Sequence, residues 1–308
     1  MTQIIGYACI NTHLKKVGIT TNRGVRKVTL NRTGNQLISQ LALQNSKDLH
    51  TIIKWNADNN IRMFRISSDL FPWGNKVDIT QLPDYTEIRA VLESAGKLAR
   101  ECGQRLSAHP GPFNLLASPK ERVIQDTIAD LELHSQMFDM LGLECSPYNK
   151  INIHIGATYG DKETAIRTWI QNYHKLSDNC RSRLTIENDD KASMFSVREL
   201  YDMVHTKIGI PIVFDYHHHR FCSGGLSEQE ALELAMSTWP IGIVPAVHYS
   251  ESKALHENDS KIRPQAHSDY LSNMVNTYGH EIHIMLECKM KEDALLKYRQ
   301  DFLEKKLL

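Results

Sequence analysis

A chain of 308 residues with 41% hydrophobic and 23% charged residues has enough apolar material for a sizeable core, which excludes an intrinsically disordered protein. No apolar run reaches the ~20 residues of a membrane span, and no basic segment followed by an apolar stretch opens the chain, so a cytosolic or nuclear protein away from membranes is expected. Formal charge is zero, yet the first acidic residue is Asp48, preceded by Lys15, Lys16, Arg23, Arg26, Lys27, Arg32 and Lys47. That segment suits a polyanion or a solvated loop. The six cysteines include no C-x-x-C pair, which fits reduced thiols better than disulfides or a zinc knuckle.

In chain order, eight short β-rich runs alternate with helical patterns: Ile4 to Cys9, Met63 to Ser67, Arg105 to Ala108, Ile151 to Ile155, Leu184 to Ile186, Pro211 to Phe214, Gly242 to Val247 and Ile282 to Leu286. Ser118-Pro-Lys-Glu121 reads as a capping box opening a helix that Gly142 ends, and Ser196 with Glu199 and Ser227 with Glu230 repeat the pattern. Short strands apolar on both faces and separated by helices predict a parallel sheet with right-handed crossovers. Eight such units without a break in composition predict one α/β domain over residues 1–308, a (β/α)8 TIM barrel. An open doubly wound sheet is the alternative, but neither G-x-G-x-x-G after the first strand nor G-x-x-x-x-G-K occurs.

In such a barrel the chemistry sits where strands end. The second to eighth strands run out at Asp69, His109, His154, Glu187, Asp215 with His217, His218 and His219, His248, and Glu287; the first offers Tyr7 and Asn11. Carboxylates converging on one cavity repel unless cations neutralise them. The imidazole and carboxylate mixture without cysteine suits zinc, manganese or iron better than calcium or magnesium. More than five ligands implies two or three ions, and metals ~3.5–4 Å apart clamp the attacking and leaving oxygens of a phosphoryl displacement. Period-two alternation puts Asp215, His217 and His219 on one face, but it fails once the strand becomes a loop, leaving the liganding histidine open. His267 is expected at the start of a helix before strand eight, where it could fold over the barrel mouth.

With these landmarks in place, the chain resembles the UV damage endonuclease family. The resemblance runs through Gly6-Tyr-Ala-Cys-Ile-Asn11, Phe64-Arg-Ile-Ser-Ser68, His109-Pro-Gly111, His154-Ile-Gly156, Glu187-Asn-Asp-Asp190, Asp215-x-His-His-His219, His248-Tyr-Ser250, Ala266-His-x-Asp-Tyr270 and Glu287. It implies a barrel related to endonuclease IV and the xylose isomerase-like barrels, holding three metals, most often manganese. The implied activity is incision of damaged double-stranded DNA immediately 5′ to UV photoproducts, leaving 3′-hydroxyl and 5′-phosphate ends. It implies His109, His154, Glu187, Asp215, His218, His248, His267 and Glu287 as ligands, favouring His218 within its triplet, with Glu187, Asp215, His248 and Glu287 closest to the chemistry. Asp69 stands where a histidine ligand can occur and could still bind metal. Tyr7, Asn11, Arg23, Arg26, Lys27 and Phe113 are expected on a monomer's DNA-binding surface, Tyr7 at the lesion.

Two departures bear on substrate and rate. Pro112 and Phe113 replace a common Gln-Tyr lesion-probing pair, and Ala246 replaces a lysine two residues before His248. The resemblance thus leaves an abasic-site nuclease, a sugar isomerase or epimerase on the same barrel, and a damaged-DNA binder with weakened turnover as competing readings.

Overall fold

The computed structural model describes residues 3–304. Eight parallel strands run β1 (Ile5–Ala8), β2 (Met63–Ile66), β3 (Arg105–Ala108), β4 (Ile151–Ile153), β5 (Leu184–Glu187), β6 (Ile212–Val213), β7 (Ala246–Tyr249) and β8 (His283–Leu286). From β1 to β6 each strand pairs with the next, β7 pairs with β8, and β8 pairs with β1. The remaining seam between β6 and β7 is bridged by Asp215 and His248, where the His248 N–H donates to the Phe214 carbonyl at 2.9 Å. The expected (β/α)8 barrel is therefore the fold.

The helices form the outer layer because apolar residues recur on one face. In Asn35–Asp58 the buried positions include Ile38, Ala42, Leu49, Ile52 and Ile53, the three-and-four spacing that packs a stripe on a core. This helix lies against Tyr85–Glu101. Gly96 permits the next approach, since a Cβ there would stand 1.7 Å from the Leu141 carbonyl oxygen. The N-terminal end of the barrel is filled by polar side chains. Arg105 is buried and donates to the carbonyls of Tyr148 (2.6 Å), Val244 (2.8 Å) and Pro147 (3.2 Å), while its Nη1 lies 3.0 Å from His283 Nδ1.

Three local expectations need correction. The seventh strand starts at Ala246, not Gly242, because Pro240 to Ile243 form a turn with Gly242 at φ +88°. The helix expected from Ser118 begins at Glu121; the Ser118 hydroxyl accepts only from Lys120 N–H, so no capping box forms. His267 starts no helix. It lies on an extended segment bridged to Ser252, held by Lys253 N–H to the Ala266 carbonyl (2.7 Å) and Ser268 N–H to the Glu251 carbonyl (2.8 Å). Gly142 does follow the helix end at Met140, and both later capping boxes are present.

Candidate metal centre

At the C-terminal end of the barrel the strands deliver their last polar residues around Glu187, the final residue of β5 and essentially inaccessible. Its Oε2 lies 3.1 Å from His248 Nδ1, 3.2 Å from His109 Nε2 and 3.8 Å from His154 Nε2; its Oε1 lies 3.3 Å from His218 Nδ1. Asn152, held by Thr185 at 2.8 Å, donates to Glu187 Oε2. Four imidazoles thus meet one carboxylate. Glu287 extends the cluster: its Oε1 is 3.3 Å from His248 Nδ1 and its Oε2 is 3.9 Å from His267 Nε2.

The triplet after β6 is helical, which explains why alternation misassigned its faces. Asp215 caps Tyr216–His219 by accepting from His218 N–H at 2.8 Å. At helical spacing His218 turns toward Glu187 and Asp215, its Nε2 4.0 Å from Asp215 Oδ2. His217 points instead to the Gln265 carbonyl at 3.1 Å, and His219 packs edge-on against Phe214.

Nearly every ring has a partner on its far side. His109 Nδ1 faces the Pro110 carbonyl (3.2 Å), His218 Nδ1 the Asn188 carbonyl (2.9 Å) and His267 Nδ1 the Ser250 hydroxyl (2.6 Å), while His154 Nδ1 lies 3.2 Å from an Asp189 carboxylate oxygen without hydrogen-bond geometry. Such contacts fix ring orientation and tautomer where imidazoles bind metals. His248 is held by an amine instead of an oxygen, its Nε2 facing the buried Lys150 amine at 2.9 Å.

Burial and crowding set the charges. Burial pushes Asp215 up to about 7, aided by Glu187 and Glu287 and opposed by His218. Burial would depress His154, but Glu187, Asp189 and Asp215 outweigh it and raise it to about 10. His218 is raised in the same way by Asp215 and Glu187. Burial and Lys150 hold His248 down to about 4 against the pull of Glu187 and Glu287, and burial brings Lys150 itself down to about 7. Despite burial, His248 and His154 keep Glu187 well below the usual carboxylate range, and Arg65 and His248 do so for Glu287. Protons on His154 and His218 thus compensate part of the buried negative charge, while burial holds His109, His248 and His267 toward the neutral form.

The donor set fits metal ions. Glu187 Oε1, Asp215 Oδ2 and His248 Nδ1 are buried without a hydrogen-bond partner, a costly state that an ion would relieve. His109, His154 and Glu187 form one group with ligand atoms within 4.8 Å of one another, and Glu187, Asp215 and His248 form another. Glu187 is common to both, as a carboxylate shared between two ions would be. A cavity of about 410 Å³ opens above, lined among others by His109, His154, His218, His267, Glu187 and Glu287.

Other expected residues are dispersed. Asp69 lines a neighbouring cleft of about 730 Å³, not the cavity. Tyr7 and Asn11, expected against DNA, are fully buried: the Tyr7 hydroxyl donates to Asn56 Oδ1 at 2.7 Å and accepts from Asn11 Nδ2 at 2.9 Å. Tyr7 alternates into the core and Asn11 caps the following turn, accepting from Leu14 N–H, so neither reaches a base. Arg23 is committed to Asp48 at 2.7 Å and to loop carbonyls. Arg26 and Lys27 are exposed, and Phe113 is 80% exposed at the rim of the second cleft.

Sequence reasoning missed Arg65, which lines the cavity and pairs with Glu287, and the supporting residues Lys150, Asn152, Asp189 and Ser250. Asp189 and Ser250 sit two residues after Glu187 and His248, a visible signal. Lys150 precedes its strand and carries none.

The family model described as UV-endonuclease UvdE matches residues 3–306. The UV-damage endonuclease of Schizosaccharomyces pombe is 34% identical over 304 residues, covering 95% of this chain and 49% of that protein. The UV DNA damage endonuclease of Clostridium perfringens is 35% identical over 304 residues, covering 95% and 69%. The chain therefore spans about half the length of the S. pombe relative. Among solved structures, SacUVDE aligns over the whole of both chains with a TM-score of 0.85 and 29% identity. A D-psicose 3-epimerase from Clostridium cellulolyticum aligns over 84% of this chain and 88% of its own with a TM-score of 0.52 and 13% identity, a likeness of fold alone.

Proposed function

Because the chain belongs to the UV-endonuclease UvdE family, we propose that it is a metal-dependent DNA repair endonuclease that incises duplex DNA immediately 5′ to UV photoproducts, leaving 3′-hydroxyl and 5′-phosphate ends. The observation that carries the metal-dependent reading is Glu187 surrounded by His109, His154, His218 and His248, with unpartnered buried atoms on Glu187, Asp215 and His248. Glu187, Asp215, His248 and Glu287, with His109, His154, His218 and His267, would hold two or three divalent ions, Mn2+ in the first instance. Such ions supply Lewis acidity toward phosphoryl oxygens and a hydroxide from bound water at neutral pH.

The chain's own part is orientation and access. Asp189, Ser250 and the Asn188 and Pro110 carbonyls hold the rings so that His154, His267, His218 and His109 present Nε2, while Lys150 holds His248 to present Nδ1. Asn152 fixes the Glu187 carboxylate, and the Asn188 side chain ties the end of β5 to Asp215 through hydrogen bonds of 2.8 and 3.0 Å. Phe113 offers an exposed ring beside the cavity on which an unstacked base could rest, and Arg26 and Lys27 lie exposed in the first β/α connection for backbone phosphates. A flipped or kinked base costs least at a damaged step, so selectivity would come from deformability and not from base identity.

The test is incision of duplexes carrying a cyclobutane dimer, an abasic site or no lesion, with Mn2+ present. The proposal expects cutting 5′ to the dimer and none with Glu287→Gln. Cleavage only at the abasic site would replace the lesion assignment, and binding without cutting would reduce the protein to a damage sensor.

A further inference from the structure

The cavity above the candidate metal centre is lined by Glu187, Asp189, Asp190 and Glu287, and among the described residues the only lysine or arginine lining it is Arg65. Arg65 lies on β2 with its side chain 13% exposed, and its Nη1 pairs with Glu287 Oε1. A guanidinium stays ionised at any pH the protein meets. Its Nε is buried with no hydrogen-bond partner.

Structural pairing alone accounts poorly for this residue. A guanidinium taken out of water for one carboxylate gains little net stability, and apolar replacements of buried ion pairs are often neutral or better. A guanidinium carries five N–H donors in a planar fork suited to phosphate as well as carboxylate. Glu287 meets one nitrogen of that fork, with the Cys9 thiol also beside the guanidinium. A phosphodiester entering this carboxylate-lined cavity would meet Arg65 as the one guanidinium or ammonium in its lining, beside the imidazoles.

We infer that Arg65 is a catalytic residue whose guanidinium, anchored at one side by Glu287, binds a non-bridging oxygen of the scissile phosphate. The assignment rests on the endonuclease reading above. Its donors would face charge that builds up on that oxygen during displacement, where a fixed donor in a dry site acts most strongly. No bond is made or broken by Arg65 and no proton leaves it.

The test uses Mn2+-loaded wild type, Arg65→Met and Arg65→Lys, with inorganic phosphate as the probe. Calorimetry is expected to show phosphate binding at least ~10-fold weaker in Arg65→Met, partly restored in Arg65→Lys, because a charge-assisted bond has been removed. Mn2+ occupancy, followed by electron paramagnetic resonance, is expected to match wild type. On a dimer-containing duplex, kcat is expected to fall on the order of 10²–10³-fold in Arg65→Met with KM little changed, the pattern for an interaction made mainly in the transition state. Equal phosphate affinity at equal Mn2+ occupancy overturns the assignment. Loss of Mn2+ from Arg65→Met also overturns it, making Arg65 a holder of Glu287. Phosphate binding through Arg65 in a protein that cuts no duplex keeps the phosphate site and removes the incision reading instead.

Discussion

Replacing Lys150 by methionine separates what stabilises this protein from what makes its site work. Lys150 is buried beneath the candidate metal centre, its amine 2.9 Å from His248 Nε2, and burial pushes it from 10.5 down to about 7. At about 1.4 kcal/mol per pH unit, that difference amounts to about 4–5 kcal/mol of differential protonation between folded and unfolded chains. Between pH 7 and 10.5 the unfolded chain binds more protons at this site, so its contribution to stability rises with pH through that window and levels off below about 7. Methionine fills nearly the same volume without the desolvation cost and gives up one hydrogen bond worth about 1 kcal/mol. Urea unfolding with chelator present should therefore find Lys150→Met more stable than wild type at pH 7 by about 2–4 kcal/mol, with the gap closing toward pH 10. Mn2+ affinity should drop ~10–100-fold because His248 loses the group that orients it. A variant several kcal/mol less stable at pH 7, or one with a pH-independent difference, refutes the reasoning.

Three further outcomes follow from the same geometry. His154, raised to about 10, and Asp215, raised to about 7, must shed protons before cations bind, so Mn2+ affinity should climb from pH 6 to 8. Calorimetry in buffers of differing ionisation enthalpy should show net proton release, and pH-independent binding would contradict it. Asp189→Asn leaves His154 without its carboxylate partner at 3.2 Å and should weaken Mn2+ binding ~10–100-fold with little change in melting temperature. Phe113, 80% exposed, should be replaceable by alanine within about 0.5 kcal/mol of stability. The same change should cost about 1–3 kcal/mol in binding to dimer-containing duplex if its ring stacks on an unpaired base; gel-shift titration against undamaged duplex decides it.

The barrel was legible because its signal repeats. Eight apolar runs and the helices between them fix the alternation even though β7 was misplaced by a proline and glycine turn. The strand-end histidines and carboxylates were legible for a related reason, since parallel strands in a barrel all end at one face. What failed was local direction. Asp215 became a helix cap and turned the next four residues through helical angles, so period two left the liganding histidine open where the structure turns His218 to Glu187. Tyr7 looked like a surface aromatic from its motif, yet a strand of four buried residues leaves it no route outward. The roles of Arg65, which lies within the Phe64 to Ser68 landmark, and of Lys150 were not legible because a charged residue in or before a strand carries no mark of the partner it meets across the barrel. Those partners, Glu287 and His248, lie 222 and 98 positions away.

The central claim is that these side chains hold the ions that cut DNA. Metal-stripped protein titrated with Mn2+, with bound metal counted and incision of a dimer-containing duplex followed in the same samples, tests it most directly. The account predicts no cutting without metal, activity that grows as two or more ions bind per chain, and loss of both in Glu187→Gln. Undiminished incision in the presence of excess chelator, or full activity in Glu187→Gln, would contradict it.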